Sequence, residues 1–254
     1  MERIILEQKD IYKGTLLLVN RDYPVHRYNN EKHLQLVQAL EGHPEILLEK
    51  RAAGMLQSLI NDLEGWHSIV PVSGYRPQKE QEQIYKESLV ENGREFTNKY
   101  VAIPGHSEHQ TGYAIDLARN NHEIDFIRPD FPYDGIWGKF RALAGDYGFI
   151  ERYQEGKEKI TGIAHEPWHF RYVGYPHSII INREGLTLEE YIEEIKNYPY
   201  KGKHLNYVYK GQSMEIFYVN VLEAIYEEIS ISGEYAYQVS GNNSDGVIVT
   251  VWRG

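Results

Sequence analysis

Two segments of the chain carry residues that could bind a metal ion. Residues 104–116 (PGHSEHQTGYAID) contain His109 and Asp116, and residues 165–171 (HEPWHFR) contain His165, Glu166 and His169. Imidazole nitrogens and carboxylate oxygens are common ligands of zinc and other divalent metals. The sequence contains no cysteine, so a metal site must use such ligands. The same absence excludes a thiol nucleophile and a disulfide scaffold.

The second segment matches the pattern His-Glu-x-x-His of zinc metalloproteases, in which two histidines one helical turn apart bind the metal. On that interpretation His165 and His169 are ligands, Glu166 is the base, and Glu189 or Glu190 supplies a third ligand. The proline between the histidines and the β-type residues after them disfavour a helix. In an extended segment the two histidines lie about 13 Å apart, too far to share one ion.

The first segment offers other ligands. Asp116 lies within the apolar run Tyr113–Leu117, where a carboxylate is costly unless it is paired or bound to a cation. A helix cap or an ion pair would also account for it. With His109 and His169 it forms a set of two histidines and one carboxylate, which leaves a fourth position for water, as catalytic zinc requires. Fe(II) oxygenases use a similar triad, but their usual tight His-x-Asp spacing does not match this sequence.

Three motifs resemble one family. Ser107-x-His109-x-x-Gly112-x-Ala114-x-Asp116, followed by Glu166-x-Trp168-His169, is similar to the signature of the zinc D,D-peptidases, and Ser73-Gly74-Tyr75-Arg76 resembles their upstream element. These enzymes are the D-alanyl-D-alanine carboxypeptidases and dipeptidases of the VanY, VanX and VanXY type. The resemblance extends from about residue 14 to residue 174, with the motifs in the expected order. Because it shows no apparent membrane anchor, the sequence resembles the soluble VanXY type more than the anchored VanY type.

The resemblance implies a role for each motif residue. One Zn²⁺ would be held by His109, Asp116 and His169, with Glu166 as the general base. Arg76 would stabilise the charge that develops on the scissile carbonyl oxygen. The candidates for substrate binding are Ser107, Gln81 and Trp168, of which Ser107 corresponds to the family residue that hydrogen-bonds substrate. No role is assigned to Arg171, which lies near the motif.

The implied function is zinc-dependent hydrolysis of D-Ala-D-Ala and removal of the terminal D-Ala from peptidoglycan precursors, including the pentapeptide. Such an activity would favour vancomycin resistance, because it removes the D-Ala-D-Ala target. The alternative is a non-catalytic zinc-binding interaction module of the same fold, since Hedgehog-type signalling domains have a similar ligand pattern. The presence of both Glu166 and Arg76 argues against that alternative.

Composition excludes some partners. The 254 residues include 27 Lys and Arg against 37 Asp and Glu, a formal charge of −10. An acidic chain without a basic run is unlike a nucleic-acid-binding protein or one that docks on an anionic membrane. The N-terminus has no apolar segment typical of a signal peptide, so we expect a cytoplasmic protein. The sequence indicates no oligomeric state.

Periodicity and composition predict the elements that must position these residues. We expect helices over Glu45–Glu64, from Pro77 to about Glu91, over Trp137–Tyr147 and from Thr187 onward. We expect strands over Gly14–Asn20, Ser68–Val72, Tyr113–Leu117, Phe149–Tyr153 and Trp168–Val173. Glu166 and His169 have opposite parity on a regular strand, so Pro167 must introduce a bulge or a turn if both face the site.

The predicted fold class is α+β, with helices around a small antiparallel sheet that carries the zinc site. Residues 1–198 are predicted to form the catalytic domain. After Pro199 the chain consists of short β-type runs and a turn-rich segment, residues 240–246. Residues 199–254 are therefore predicted to form a small β appendage.

Overall fold

The computed structural model describes residues 1–26, 33–37, 45–121, 123–222 and 226–254. The strands are β1 (Glu2–Glu7), β2 (Leu34–Leu36), β3 (Leu47–Glu49), β4 (Ile69–Ser73), β5 (Ala114–Arg119), β6 (Phe149–Tyr153), β7 (Glu166–Tyr172), β8 (Leu205–Tyr209), β9 (Gln212–Asn220), β10 (Tyr226–Ile231), β11 (Ala236–Gly241) and β12 (Gly246–Trp252). The helices are α1 (Lys50–Asp62), α2 (Gln78–Glu91), α3 (Gly93–Tyr100), α4 (Gly135–Ala144), α5 (Glu158–Thr161), α6 (His177–Glu184) and α7 (Leu188–Ile195). No helix in these described ranges is long and apolar enough to cross a membrane.

The chain divides into two compact units, residues 19–187 and residues 1–18 with 188–254. The first unit is built on a four-stranded antiparallel sheet with the strand order β4-β5-β7-β6. Its core joins the inner face of α1, including Leu56 and Leu59, to Leu117 of β5, Phe140 of α4 and Phe170 of β7. This arrangement of helices around a small antiparallel sheet confirms the α+β prediction.

The register of this sheet brings two candidate ligands together. Asp116 of β5 stands directly opposite His169 of β7. Between β6 and β7 the pairing shifts from Glu151 with Phe170 to Tyr153 with Glu166, so residues 167–169 stand opposite a single residue of β6. The irregularity predicted next to Pro167 is therefore present, and it interrupts the regular alternation of β7 between Glu166 and His169.

Two predicted elements are wrong in kind or extent. The apolar run Gly14–Asn20 is not a strand, although residues 16–19 are buried. Its backbone hydrogen bonds do not follow the pattern of a sheet. The Leu16 N–H donates to Ser240 Oγ, and the Leu18 N–H donates to the Asn242 carbonyl oxygen. A buried segment that pairs with no neighbouring strand has the same apolar pattern as a core strand, so the pattern alone does not distinguish the two.

The helix predicted over Glu45–Glu64 begins only at Lys50. Leu48 lies in β3, where the carbonyl of Leu47 accepts the Tyr75 N–H and the Glu49 N–H donates to Gly112. These contacts with distant segments compete with the helical hydrogen bonds of the first predicted turn. The Glu49 carboxylate then caps α1 by accepting from the N–H of Arg51.

The second unit contains two antiparallel sheets, β1-β10 and β11-β12-β9-β8, with α7. The β-type runs predicted after Pro199 are present as strands. Residues 1–18 also belong to this unit, because β1 pairs with β10 and Leu6 and Ile11 enter its core. The compact units therefore divide the chain differently from the predicted boundary at residue 198, since strand pairing joins the two ends of the sequence.

Candidate active site

The two histidines and the carboxylate singled out by the sequence converge in the first unit. His109 lies in a short 3-10 turn, residues 108–111, while Asp116 and His169 lie on the neighbouring strands β5 and β7. Their side chains are buried, and one ligand atom of each lies within 4.8 Å of the others. Such a spacing suits three ligands of one ion.

The backbone around His109 selects which of its nitrogens faces the site. His109 Nδ1 lies 2.7 Å from the Gly74 carbonyl oxygen, so Nδ1 donates and Nε2 is left facing Asp116 Oδ2 at 3.2 Å. Gly74 is suited to this position because a Cβ there would overlap the carbonyl oxygen of Leu47. Gly112 ends the turn with φ of 73°, a left-handed conformation that favours glycine.

His169 presents its other nitrogen. Its Nδ1 lies 2.9 Å from Asp116 Oδ1, whereas its Nε2 lies 3.5 Å from Glu108 Oε2. The rings of His109 and His169 are nearly perpendicular, with centroids 5.0 Å apart. Two imidazole nitrogens and one carboxylate therefore surround one point, a donor set that fits zinc with a position open for a further ligand.

Charges within the group support this assignment. Burial, with the nearby Arg76, lowers the pKa of His109, which keeps the imidazole neutral and able to bind a metal. Burial would raise the pKa of Asp116, but His109 and His169 hold it well below its usual range. Burial would lower the pKa of His169, but its hydrogen bond to Asp116 raises it to about 9. A metal ion bound by His169 would therefore have to displace a proton.

Glu166 lies beside the group at the start of β7. Its Oε2 is 3.9 Å from His169 Nδ1, and its side chain is buried. Burial raises the pKa of Glu166 to about 8, so the carboxyl group holds a proton near neutral pH. A divalent cation held by the three ligands would lower this pKa and favour the ionised form that a general base needs.

Arg76 is fixed at the same site by short polar contacts. It donates from one terminal nitrogen to Gln81 Oε1 and from the other to Ser73 Oγ, both at 2.9 Å, and the second lies 3.9 Å from Asp116 Oδ2. Gln81 in turn donates to the Ala102 carbonyl oxygen at 2.8 Å. The amide of Gln81 therefore orients the guanidinium. Arg76 Nε is buried with no hydrogen-bond partner among the described residues.

A cavity of about 300 Å³ opens onto the group. All eight residues singled out from the sequence line it, namely Arg76, Gln81, Ser107, His109, Asp116, Glu166, Trp168 and His169. Ser107 and Trp168 are buried parts of its wall, with 3% and 8% exposure. The volume lies at the small end of ligand cavities, which suits a short peptide.

The alternative His-Glu-x-x-His interpretation is wrong. Glu166–Tyr172 is a strand, so His165 and His169 are not on one helical turn. His165 Nε2 instead lies 2.7 Å from the Tyr133 hydroxyl and 3.4 Å from Glu151. His165 is not part of the buried ligand group.

Sequence reasoning missed several residues at the site. Glu108 Oε2 lies 3.5 Å from His169 Nε2, and both Arg152 and Arg171 contact Glu108. Tyr153 lines the cavity with its ring centroid 4.9 Å from that of His169. The sequence held a signal for the two arginines, since Arg152 and Arg171 lie inside the β-type runs FIERY and EPWHFRY. A charged side chain buried in such a strand needs a partner of opposite charge.

Comparison with known proteins identifies relatives. Residues 45–175 match the family model described as VanY, D-alanyl-D-alanine carboxypeptidase. The bifunctional D-Ala-D-Ala dipeptidase and carboxypeptidase VanXYC of Enterococcus gallinarum is 41% identical over 179 residues, 70% of this chain and 93% of the relative. A D-alanyl-D-alanine carboxypeptidase of Enterococcus faecium is 34% identical over 265 residues, 100% of this chain and 80% of the relative.

Similar solved structures belong to the same group of enzymes as these relatives. The vancomycin resistance D,D-dipeptidase VanXYg, in complex with a D-Ala-D-Ala phosphinate analog, superposes with a TM-score of 0.92 at 50% identity and 99% coverage of both chains. A VanY mutant from the VanB-type resistance cassette, in complex with Zn(II), gives a TM-score of 0.55 at 29% identity, with 71% of this chain and 99% of the other covered. On its sequence and its fold, the chain belongs to the VanY family of D-alanyl-D-alanine carboxypeptidases.

Proposed function

We propose that this protein is a zinc D,D-peptidase that hydrolyses the D-Ala-D-Ala dipeptide and removes the terminal D-Ala of pentapeptide precursors of peptidoglycan. The observation that carries the proposal is the buried group of His109, Asp116 and His169, with Glu166 and Arg76 at the same small cavity. The bifunctional relative VanXYC and the VanXYg complex with a substrate analog support both the substrate and the dual activity.

One zinc ion would be held by His109 Nε2, Asp116 and His169 Nδ1. When bound, zinc activates water near neutral pH and polarises a carbonyl group. The Zn(II) complex of the VanY relative supports the identity of the metal. The three ligands come from a turn and two adjacent strands, so the sheet itself fixes their spacing.

Glu166 is proposed to take a proton from the attacking water and to deliver it to the leaving amine. Arg76 is proposed to stabilise the negative charge that develops on the scissile carbonyl oxygen, because its guanidinium remains charged and its orientation is set by Gln81 and Ser73. Gln81 thus acts through Arg76. Ser107 and Trp168 are proposed to hold the substrate, Ser107 by a hydrogen bond and Trp168 as an apolar wall against a methyl group.

In a bacterial cell, this activity would remove the D-Ala-D-Ala target of vancomycin, and so favour resistance. A cytoplasmic site of action on soluble precursors stays a prediction of the sequence.

The proposal is tested by D-alanine release from D-Ala-D-Ala and from a pentapeptide that ends in D-Ala-D-Ala, with L-Ala-L-Ala as the stereochemical control. We expect release from both D-substrates, one zinc per active chain, loss of activity with a chelator and recovery on addition of zinc. Absence of release from either D-substrate by zinc-loaded protein would contradict the proposal.

Replacement of Arg76 by alanine should lower kcat/KM by a factor that corresponds to about 3–4 kcal/mol, as expected for a lost oxyanion donor. Zinc should remain bound, because Arg76 is not a ligand. Arg94→Ala, at an exposed position of α3, is the matched control and should leave activity unchanged. A variant with normal kcat and only a raised KM would assign Arg76 to substrate binding in the ground state instead.

A further inference from the structure

A fully buried cluster of charges borders the proposed metal site. Glu108 is flanked by two arginines, and none of the three side chains is exposed. Arg152 of β6 donates from Nε to Glu108 Oε1 at 2.8 Å, and a terminal nitrogen of Arg171 of β7 lies 2.9 Å from the same oxygen. The cluster therefore joins the turn that carries His109 to the two strands beside it.

Such a cluster is a costly way to stabilise a fold. Apolar side chains of similar volume often serve stability as well as a buried ion pair or better, because charges lose their hydration on burial. The geometry of Glu108 suggests what the cluster does. Both arginines approach Oε1, which leaves Oε2 directed at His169.

The two atoms that face each other are otherwise unsatisfied. Glu108 Oε2 and His169 Nε2 lie 3.5 Å apart as an ion pair, and neither atom has a hydrogen-bond partner in the described part of the chain. On the far side of the same ring, His169 Nδ1 faces Asp116. A carboxylate that accepts from Nε2–H leaves the lone pair of Nδ1 for a metal ion.

We propose that Glu108 is a positioning residue, which holds His169 in the tautomer and orientation that present Nδ1 to the metal, while Arg152 and Arg171 hold Glu108 in place. The inference rests on the proposed metal site. A merely structural cluster would tie the turn to the sheet and affect folding, but it would not set metal affinity or the tautomer of His169.

Glu108→Gln tests the proposal with little change in volume. A glutamine has a single acceptor oxygen, which cannot serve the two arginines and His169 at once, and its amide nitrogen would face donors. We expect zinc affinity, measured by competition with a chromophoric chelator, to fall about 10–100-fold, the usual effect of losing such an outer partner. The absorption spectrum of the Co²⁺-substituted variant should also differ from that of the wild type.

Asp245→Asn is the matched control, because it removes a carboxylate that pairs with Lys196 and Asn242 in the other compact unit. It should lower thermal stability without changing zinc affinity. Equal zinc affinity in wild type and Glu108→Gln would overturn the positioning role while leaving the metal site intact. Failure of the wild type to bind zinc would instead refute the proposed metal site.

A measurement on the wild-type protein covers the case in which Glu108→Gln does not fold. In the zinc-loaded protein labelled with ¹⁵N-histidine, NMR should show a proton on His169 Nε2 and none on Nδ1. A proton on Nδ1 would overturn the proposal, whatever the variants do.

Discussion

Replacement of Glu166 by alanine or glutamine should reduce kcat for D-Ala-D-Ala hydrolysis by a factor on the order of 10²–10⁴, the range expected for a lost general acid–base. Zinc content should remain at the wild-type level, because the three proposed ligands are untouched. Glu166 Oε2 lies 3.9 Å from His169 Nδ1, close enough to act on a water at the site. The measurements are metal analysis and steady-state release of D-alanine.

The matched control is Glu151→Gln on the adjacent strand β6. Its carboxylate interacts with Arg141 and Tyr133 and does not line the cavity. It should retain the wild-type kcat. An active Glu166→Ala variant with normal zinc would remove Glu166 from the role of base.

The pH dependence of the stability of the metal-free protein tests the raised pKa of Glu166. Its pKa is raised from 4.5 to about 8, so between these values the native state holds a proton that the unfolded state releases. The stabilising contribution is therefore fully present below pH 4.5 and is lost as the pH rises through about 8. Relative to Glu166→Gln, the wild type should lose at most about 1.4 kcal/mol of unfolding free energy per pH unit in this window. A flat difference would contradict the burial of a neutral carboxyl group.

Replacement of His109 by alanine should remove both zinc and activity, whereas His165→Ala should retain both. His109 Nε2 faces Asp116 within the ligand group, while His165 bonds to Tyr133 outside it. The loss of affinity should exceed the ~10–100-fold effect expected for an outer partner such as Glu108. Zinc competition and D-alanine release measure the two variants.

His165→Ala is the matched control, since it removes the same side chain from a histidine close to the site in sequence. Zinc loss in His165→Ala with His109→Ala unaffected would overturn the proposed ligand set in favour of His165. Circular dichroism of the metal-free variants separates loss of a ligand from loss of folding.

Local patterns predicted the parts of the fold that depend on local forces. The β-type composition of Phe149–Tyr153 and the proline before α2 correspond to elements of the structure. Predictions were wrong where hydrogen bonds to distant segments determine the backbone conformation. Leu48, for example, fits the apolar stripe of the predicted helix but lies in strand β3. The pairing of β1 with β10 could not be predicted, because it joins residues from opposite ends of the chain.

The same division applies to the candidate site. The identity and order of the ligand-type residues, the exclusion of thiol ligands and the conflict between Glu166 and His169 on a regular strand all follow from residue types and spacing. These are local properties, so the linear sequence contains them. It also contains the motifs that resemble the D,D-peptidases.

Only the tertiary structure decided how those residues meet. Asp116 and His169 are 53 residues apart, and their contact depends on the register of β5 against β7. His109 turns Nδ1 to the Gly74 carbonyl and Nε2 to Asp116, whereas His169 turns Nδ1 to Asp116 and Nε2 to Glu108, and folding brings each of these partners in. Hydrogen bonds are directional and short in range, so atom-level selection of this kind requires the packed structure, while the sequence alone determines which donors and acceptors are available.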